Sequence, residues 1–195
     1  MLRFLPAPII GAIGLLGLVL NTIFWCIPLF AVTLIKLVTA PVPGARARLN
    51  LVSTAIAERW IGVNNSLFAL SRPIEWQITG LEGLRRDQWY LISSNHLSGV
   101  DIPILQQLFT DRIPFIRFFI KQELIWVPLL GQAWWALDFP FMKRYSREYL
   151  EKHPEKRGQD LEATRRACAK FKTAPTAMLN FAEGTRFTPA KHAAQ

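Results

Sequence analysis

The chain has 195 residues, 51% of them hydrophobic and 19% charged, with a mean hydropathy of +0.19. That leaves room for one ordinary domain with a short appendage, and it is too apolar for an average soluble domain. The net charge of +9 calls for an anionic partner surface, lipid headgroups or nucleic acid, while the distant Cys26 and Cys168 exclude a disulfide framework or cysteine metal spacing and suit a reduced, cytosolic setting.

Phe4 to Ile35 carries no charge for 32 residues, between Arg3 and Lys36. This exceeds the ~20 residues that span a bilayer core as a helix, and exceeds a signal-peptide core as well. Val38-Thr39-Ala40 faintly resembles a cleavage site, but Pro41 follows it, so the segment reads as an uncleaved anchor. Pro6 and Pro8 start it, and Pro28 is expected to kink or break it. Lys36, Arg46, Arg48 and Arg59 follow the anchor and only Arg3 precedes it, which by the positive-inside rule leaves the bulk of the chain in the cytoplasm. A hairpin lying in one leaflet fits the sequence equally.

Pro41-Val42-Pro43-Gly44 forms a turn, and Leu49 to Leu70 a core-packing or interfacial helix ended by Pro73. Ile74 to Thr79 alternates at period two and reads as a strand, with glycine turns at Gly80 and Gly83. Trp89 to Ser93 reads as a buried strand, and Arg112 to Ile120 as another, held to an edge by Pro114. Glu123 to Leu130 is a short helical segment stopped by Gly131. Trp134 to Met142 is strongly apolar, either core, the wall of an acyl-chain groove or a membrane-resting face. Ser146 to Gly158 is a charged surface loop, and Asp160 to Lys172 an amphipathic helix with Leu161, Thr164, Cys168 and Phe171 on one face. Thr176 to Phe181 is a buried strand.

Two loops carry chemistry. The first is Asn95-His96-Leu97-Ser98-Gly99-Val100-Asp101, where a strand hands over to a helix with Pro103 in its first turn. Positions five apart lie on different faces of a helix, so His96 and Asp101 can meet only if the histidine is in the turn and the aspartate opens the helix. A carboxylate on one ring nitrogen fixes the tautomer and leaves the other as a base. A bare His-x-x-x-x-Asp is most simply a hydrogen-bonded histidine and a helix-capping aspartate. Requiring Asn95 and Ser98 as well lowers the chance occurrence to below ~0.001 per chain on average residue usage.

The second loop, Ala182 to Pro189, follows the last strand. Gly184 permits close backbone approach, Thr185 offers a hydroxyl, Arg186 a planar fork of donors suited to phosphate, and Glu183 a carboxylate that either orients Arg186 or takes a substrate hydroxyl. Alone it is a polar turn. It gains meaning because both loops follow strands, and ligands of α/β folds bind at the carboxyl ends of strands.

Asn95-His96-x-Ser98-x-x-Asp101 and Phe181-x-Glu183-Gly184-Thr185-Arg186 resemble the first and third motifs of the glycerolipid acyltransferases, the family typified by 1-acyl-sn-glycerol-3-phosphate acyltransferase. Lys121-x-Glu123-Leu124, Val127-Pro128, Gly131 and Phe139 to Arg144 resemble its second block. The likeness covers roughly residues 75–190 and is greatest to a bacterial inner-membrane branch. It implies an α/β fold: residues 1–48 a membrane anchor, 49–72 a connecting helix, and 73–195 an acyltransferase domain. The family's fourth block lies well downstream, and Gln195 stands only nine residues after Arg186, so the domain is expected to be truncated at its C-terminus.

The resemblance further implies that His96 deprotonates the hydroxyl of a lysophospholipid and that Asp101 orients His96. The acyl group comes from acyl-CoA or acyl-carrier protein, and Arg144, Glu183, Gly184, Thr185 and Arg186 hold the glycerol phosphate, with Asn95, Ser98 and Lys121 in support. No metal, cofactor or nucleic acid is expected. The competing readings are a thioesterase or lipase using water as acceptor, disfavoured by the lack of a Gly-x-Ser-x-Gly elbow, and a non-catalytic membrane adaptor.

Overall fold

The computed structural model describes residues 5–71, 75–143, 147–154, 158, 162, 164–165, 168–184 and 186–188. It forms two compact units, Met1–Leu84 with Ile102–Arg112, and Arg85–Asp101 with Ile113–Gln195.

The first unit is built on helix α1, Ala7–Val38, and helix α2, Ala45–Ser71. Pro6 and Pro8 stand at the start of α1, where missing N–H groups cost nothing. Pro28 does not break the helix, contrary to one of the two outcomes expected of it. The residues around it are fastened on one side, since Cys26 and Leu29 are 2% and 0% exposed. By length and composition α1 can cross a membrane, and only 22% of its most apolar window is buried, so it is not an ordinary core helix.

Helix α2 begins before Leu49, just after the left-handed Gly44 at φ 76°. It runs antiparallel to α1, because lower positions on one helix meet higher positions on the other. Asn21 Nδ2 donates to Trp60 O at 3.1 Å and to Asn64 Oδ1 at 2.8 Å. A Cβ added at Gly17 would lie 3.0 Å from Leu67 Cδ2, so glycine there permits close packing. Asn65 Nδ2 also donates to Thr110 Oγ1 at 3.4 Å, tying α2 to the segment after Ile102.

The second unit holds a three-stranded parallel sheet in the order β1-β5-β2, with β1 at Tyr90–Ser94, β2 at Ile116–Phe118 and β5 at Ala177–Phe181. The central strand buries Ala177 and Leu179, at 0% and 1% exposure. Strand β1 is an edge and is not buried as expected: Leu91 is 79% exposed, because alternate side chains of a strand face opposite ways and one face of β1 is open. The Arg112 to Ile120 strand is realised only as β2 and, after Phe119, as β3, Ile120–Lys121, which pairs in parallel with β4, Phe141–Met142.

Residues 75–79 form no strand, and Ile74 lies outside the described residues. Period-two alternation without a partner leaves the backbone unpaired, and Trp76 and Ile78 remain exposed. Gly131 does not end a helix. A 3-10 helix covers Gln122–Trp126, and Gly131 lies inside helix α4, Leu130–Ala136. A Cβ at Gly131 would sit 2.2 Å from the Ile125 carbonyl oxygen, so glycine serves close backbone packing there.

Between Trp134 and Met142, Ala136, Leu137 and Phe139 are buried core, and Phe118 meets Phe139 edge-on at 4.9 Å. The expected surface loop at 146–158 contains helix α5, Arg147–Lys152, a run with no glycine or proline and with several good helix formers. The described residues between 162 and 169 are helical, with Thr164 and Cys168 on the half-buried side; Leu161 lies outside the described residues.

Half-buried among these aromatics is Arg117 on β2. Its guanidinium lies 5.2 Å from the Phe115 ring centre and 5.3 Å from that of Phe171, and Nε donates to Leu137 O at 3.1 Å. Burial lowers its pKa to about 10, with the nearby Asp138 pulling the other way.

Candidate active site

Strands β1 and β5 run parallel in a register that sets Ser94 beside Phe181. Both carboxyl ends therefore stand at the same level, and the two polar loops leave side by side. The pairing continues one step further, where Ala182 N–H donates to Ser94 O at 3.2 Å.

The first loop closes on itself through Asp101, the opening residue of helix α3, Asp101–Phe109. Asp101 Oδ2 lies 2.9 Å from His96 Nδ1 and accepts the N–H groups of Leu97 and Ser98, each at 2.8 Å. A carboxylate can only accept, so Nδ1 carries a proton, and in the neutral tautomer Nε2 is the nitrogen with the lone pair. The His96 and Asp101 side chains are 20% and 17% exposed, shielded yet reachable. Burial would raise the pKa of Asp101, but the hydrogen bonds from His96, Ser98 and Leu97 outweigh it and hold the carboxyl below its usual range. Ser98 contributes twice, since its Oγ also accepts Val100 N–H at 3.3 Å.

The second loop grips the first by its backbone. Glu183 Oε2 accepts the His96 N–H at 3.3 Å, and Phe187 N–H donates to the His96 carbonyl at 2.7 Å. Gly184, at φ 65°, turns the chain between these contacts and donates its N–H to Phe181 O at 2.9 Å. The ring of Phe181 stacks on the imidazole of His96, with centres 4.1 Å apart and planes 16° from parallel.

His96, Ser98, Asp101, Glu183 and Gly184 thus meet at one place. Asn95 and Arg186 lie exposed in the same two loops. Lys121 is exposed on the other sheet, where it pairs with Met142. Arg144 and Thr185 lie outside the described residues. Sequence reasoning placed Phe181 in the third motif but gave its ring no role, and it passed over the amide of Phe187. An aromatic at the last position of a strand bordering a polar loop was the available signal for the first. A backbone donor such as that of Phe187 leaves no signal in residue type.

The parallel sheet, with a histidine–carboxylate pair and a glycine-turned polar loop at its carboxyl edge, defines an α/β domain with a composite candidate site. The chain belongs to the Acyltransferase family, whose model matches residues 75–194. It is also similar in structure to the 1-acyl-sn-glycerophosphate (LPA) acyltransferase PlsC from Thermotoga maritima, at 17% identity and a TM-score of 0.49. That alignment covers 88% of this chain and 64% of that one, so this chain spans less than two thirds of its length. No curated protein matches the chain.

Proposed function

We propose that this protein transfers a fatty acyl group from the thioester of acyl-CoA or acyl-carrier protein to the free hydroxyl of a lysophospholipid, such as 1-acyl-glycerol-3-phosphate. The observation that carries this reading is the 2.9 Å bond from His96 Nδ1 to Asp101 in a chain of the Acyltransferase family. His96 Nε2 takes the hydroxyl proton as the acceptor oxygen bonds to the thioester carbonyl carbon. The tetrahedral intermediate collapses, the C–S bond breaks, and the imidazolium returns the proton to the leaving thiolate. Asp101 fixes the tautomer and offsets the charge that develops on the ring.

General base catalysis of this kind contributes about 10²–10⁴-fold, so holding the acceptor in place must supply much of the rest. Arg186, with Arg144, Gly184 and Thr185, suits the acceptor phosphate, and Lys121 is a further cation of the domain. The chemistry asks for no metal or cofactor. Helix α1 and the cations that follow it, Lys36, Arg46, Arg48 and Arg59, support a bacterial inner-membrane location with the second unit on the cytoplasmic side.

The test is acyl transfer from labelled donor with and without lysophosphatidate. The expected product is acceptor-dependent phosphatidate, lost in His96→Ala while membrane association persists. Free fatty acid as the main product in both cases would instead identify a hydrolase.

A further inference from the structure

The ring of Phe181 touches the one side chain on which the proposed chemistry turns. The imidazole is tethered at Cβ and bonded at its Nδ1 edge to Asp101, which leaves tilting of the ring face as its looser motion. A second restraint on the face of the ring removes this freedom. Phe181 is placed to supply it, stacked at 4.1 Å and 16°.

Its own position is well determined. It is the last residue of the central strand, in register with Ser94, and its carbonyl accepts the Gly184 N–H. The groups around His96 divide the work. Asp101 holds one edge of the ring, Phe181 covers a face, and Glu183 and Phe187 bind the backbone, so among the described residues no hydrogen bond is made to the Nε2 edge.

We infer that Phe181 is a positioning residue for the base: its ring holds the His96 imidazole in one plane and stabilises the cation formed when Nε2 takes a proton. The second effect follows from the negative face of the aromatic ring, which attracts a cation stacked on it. This rests on the acyl-transfer reading for its catalytic part, whereas the ring contact is measurable without any reaction.

The experiment compares the full chain in detergent with Phe181→Tyr, Phe181→Leu and Phe181→Met. Histidine carrying ¹³C in the ring is observed by NMR, and His96 is assigned with His96→Asn among the three histidines of the chain. The expected result is an upfield ring-current shift of the His96 ring protons in wild type and Phe181→Tyr, lost in the Leu and Met variants. In parallel, kcat falls about 3–10-fold in the Leu and Met variants and is restored by Tyr, while both KM values stay within about twofold. Should Phe181→Leu fail to fold, the Tyr and Met variants carry the comparison. Wild-type kcat in Phe181→Leu, an equal loss in Phe181→Tyr, or no ring-current shift in wild type would each overturn the assignment. A wild-type chain that transfers no acyl group would overturn the acyl-transfer reading and the catalytic role together. That outcome is distinct from failure of Phe181 alone, in which an active wild type is matched by an equally active Phe181→Leu.

Discussion

The carboxylate of Glu183 accepts the backbone N–H of His96 at 3.3 Å, joining two loops 87 residues apart in sequence. His96 is therefore held at its main chain by the loop that the sequence suggested for substrate. An amide oxygen can accept the same bond. Glu183→Gln is expected to keep most activity and Glu183→Ala to lower kcat by about tenfold, from loss of one charge-assisted hydrogen bond. Steady-state kinetics decide the role: a rise in acceptor KM with unchanged kcat would assign Glu183 to the substrate.

Asp101→Asn should lower acyl transfer by about 10²–10⁴-fold, because an amide that donates to Nδ1 imposes the wrong tautomer. Western analysis of the membrane fraction should find the variant at wild-type abundance.

The depressed pKa of Asp101 also predicts a pH dependence of stability. The folded carboxyl binds its proton less readily than the unfolded one. Its contribution is therefore complete above the unfolded value, near ~4, and is lost as pH falls through the folded value below it. Denaturant midpoints followed by tryptophan fluorescence should decline less in Asp101→Asn than in wild type between about pH 5 and 2. Parallel curves would show that the bonds to His96, Leu97 and Ser98 do not couple to folding.

Gly131→Ala should destabilise the second unit by about 2–3 kcal/mol, since its methyl would press on the Ile125 carbonyl, which is backbone and cannot rotate away. Gly62→Ala is the contrasting substitution. It lies inside α2 with open space around it and should be neutral or stabilising by about 0.5–1 kcal/mol. Thermal unfolding of both variants tests the pair.

Arg117→Ala should cost about 2–3 kcal/mol, because it removes a charged donor from the Leu137 carbonyl and leaves the Phe115 and Phe171 rings without their stacked partner. Arg117→Lys should recover only part of this, as an ammonium has no planar face to lay on the rings. Denaturant unfolding would show full recovery by Lys if charge alone mattered.

The His96 and Glu183 loops were legible because each is a short local pattern at the end of an apolar run, and parallel strands bring such ends together. Helices α1 and α2 were legible from length and apolar periodicity. Other features depended on partners that local patterns do not contain. Ile74 to Thr79 alternates like a strand but has no neighbour to pair with in its described part. Gly131 looks like a helix stop, yet its reason is the Ile125 carbonyl of the preceding 3-10 helix. The charge-rich run at 147–152 reads as a loop by polarity although its residues favour a helix. Leu91 belongs to a strand with one open face, which hydrophobicity alone does not reveal.

Asn21 has a consequence for how α1 and α2 behave in an apolar medium. A carboxamide stripped of water and left alone there is unfavourable, and this one finds both its acceptors on the neighbouring helix. Sliding α1 by a single residue would swing the amide about 100° around the helix, away from Trp60 and Asn64. The pair therefore has one favoured alignment, and a generic apolar helix of equal length could not replace α1 without losing the pin that sets it.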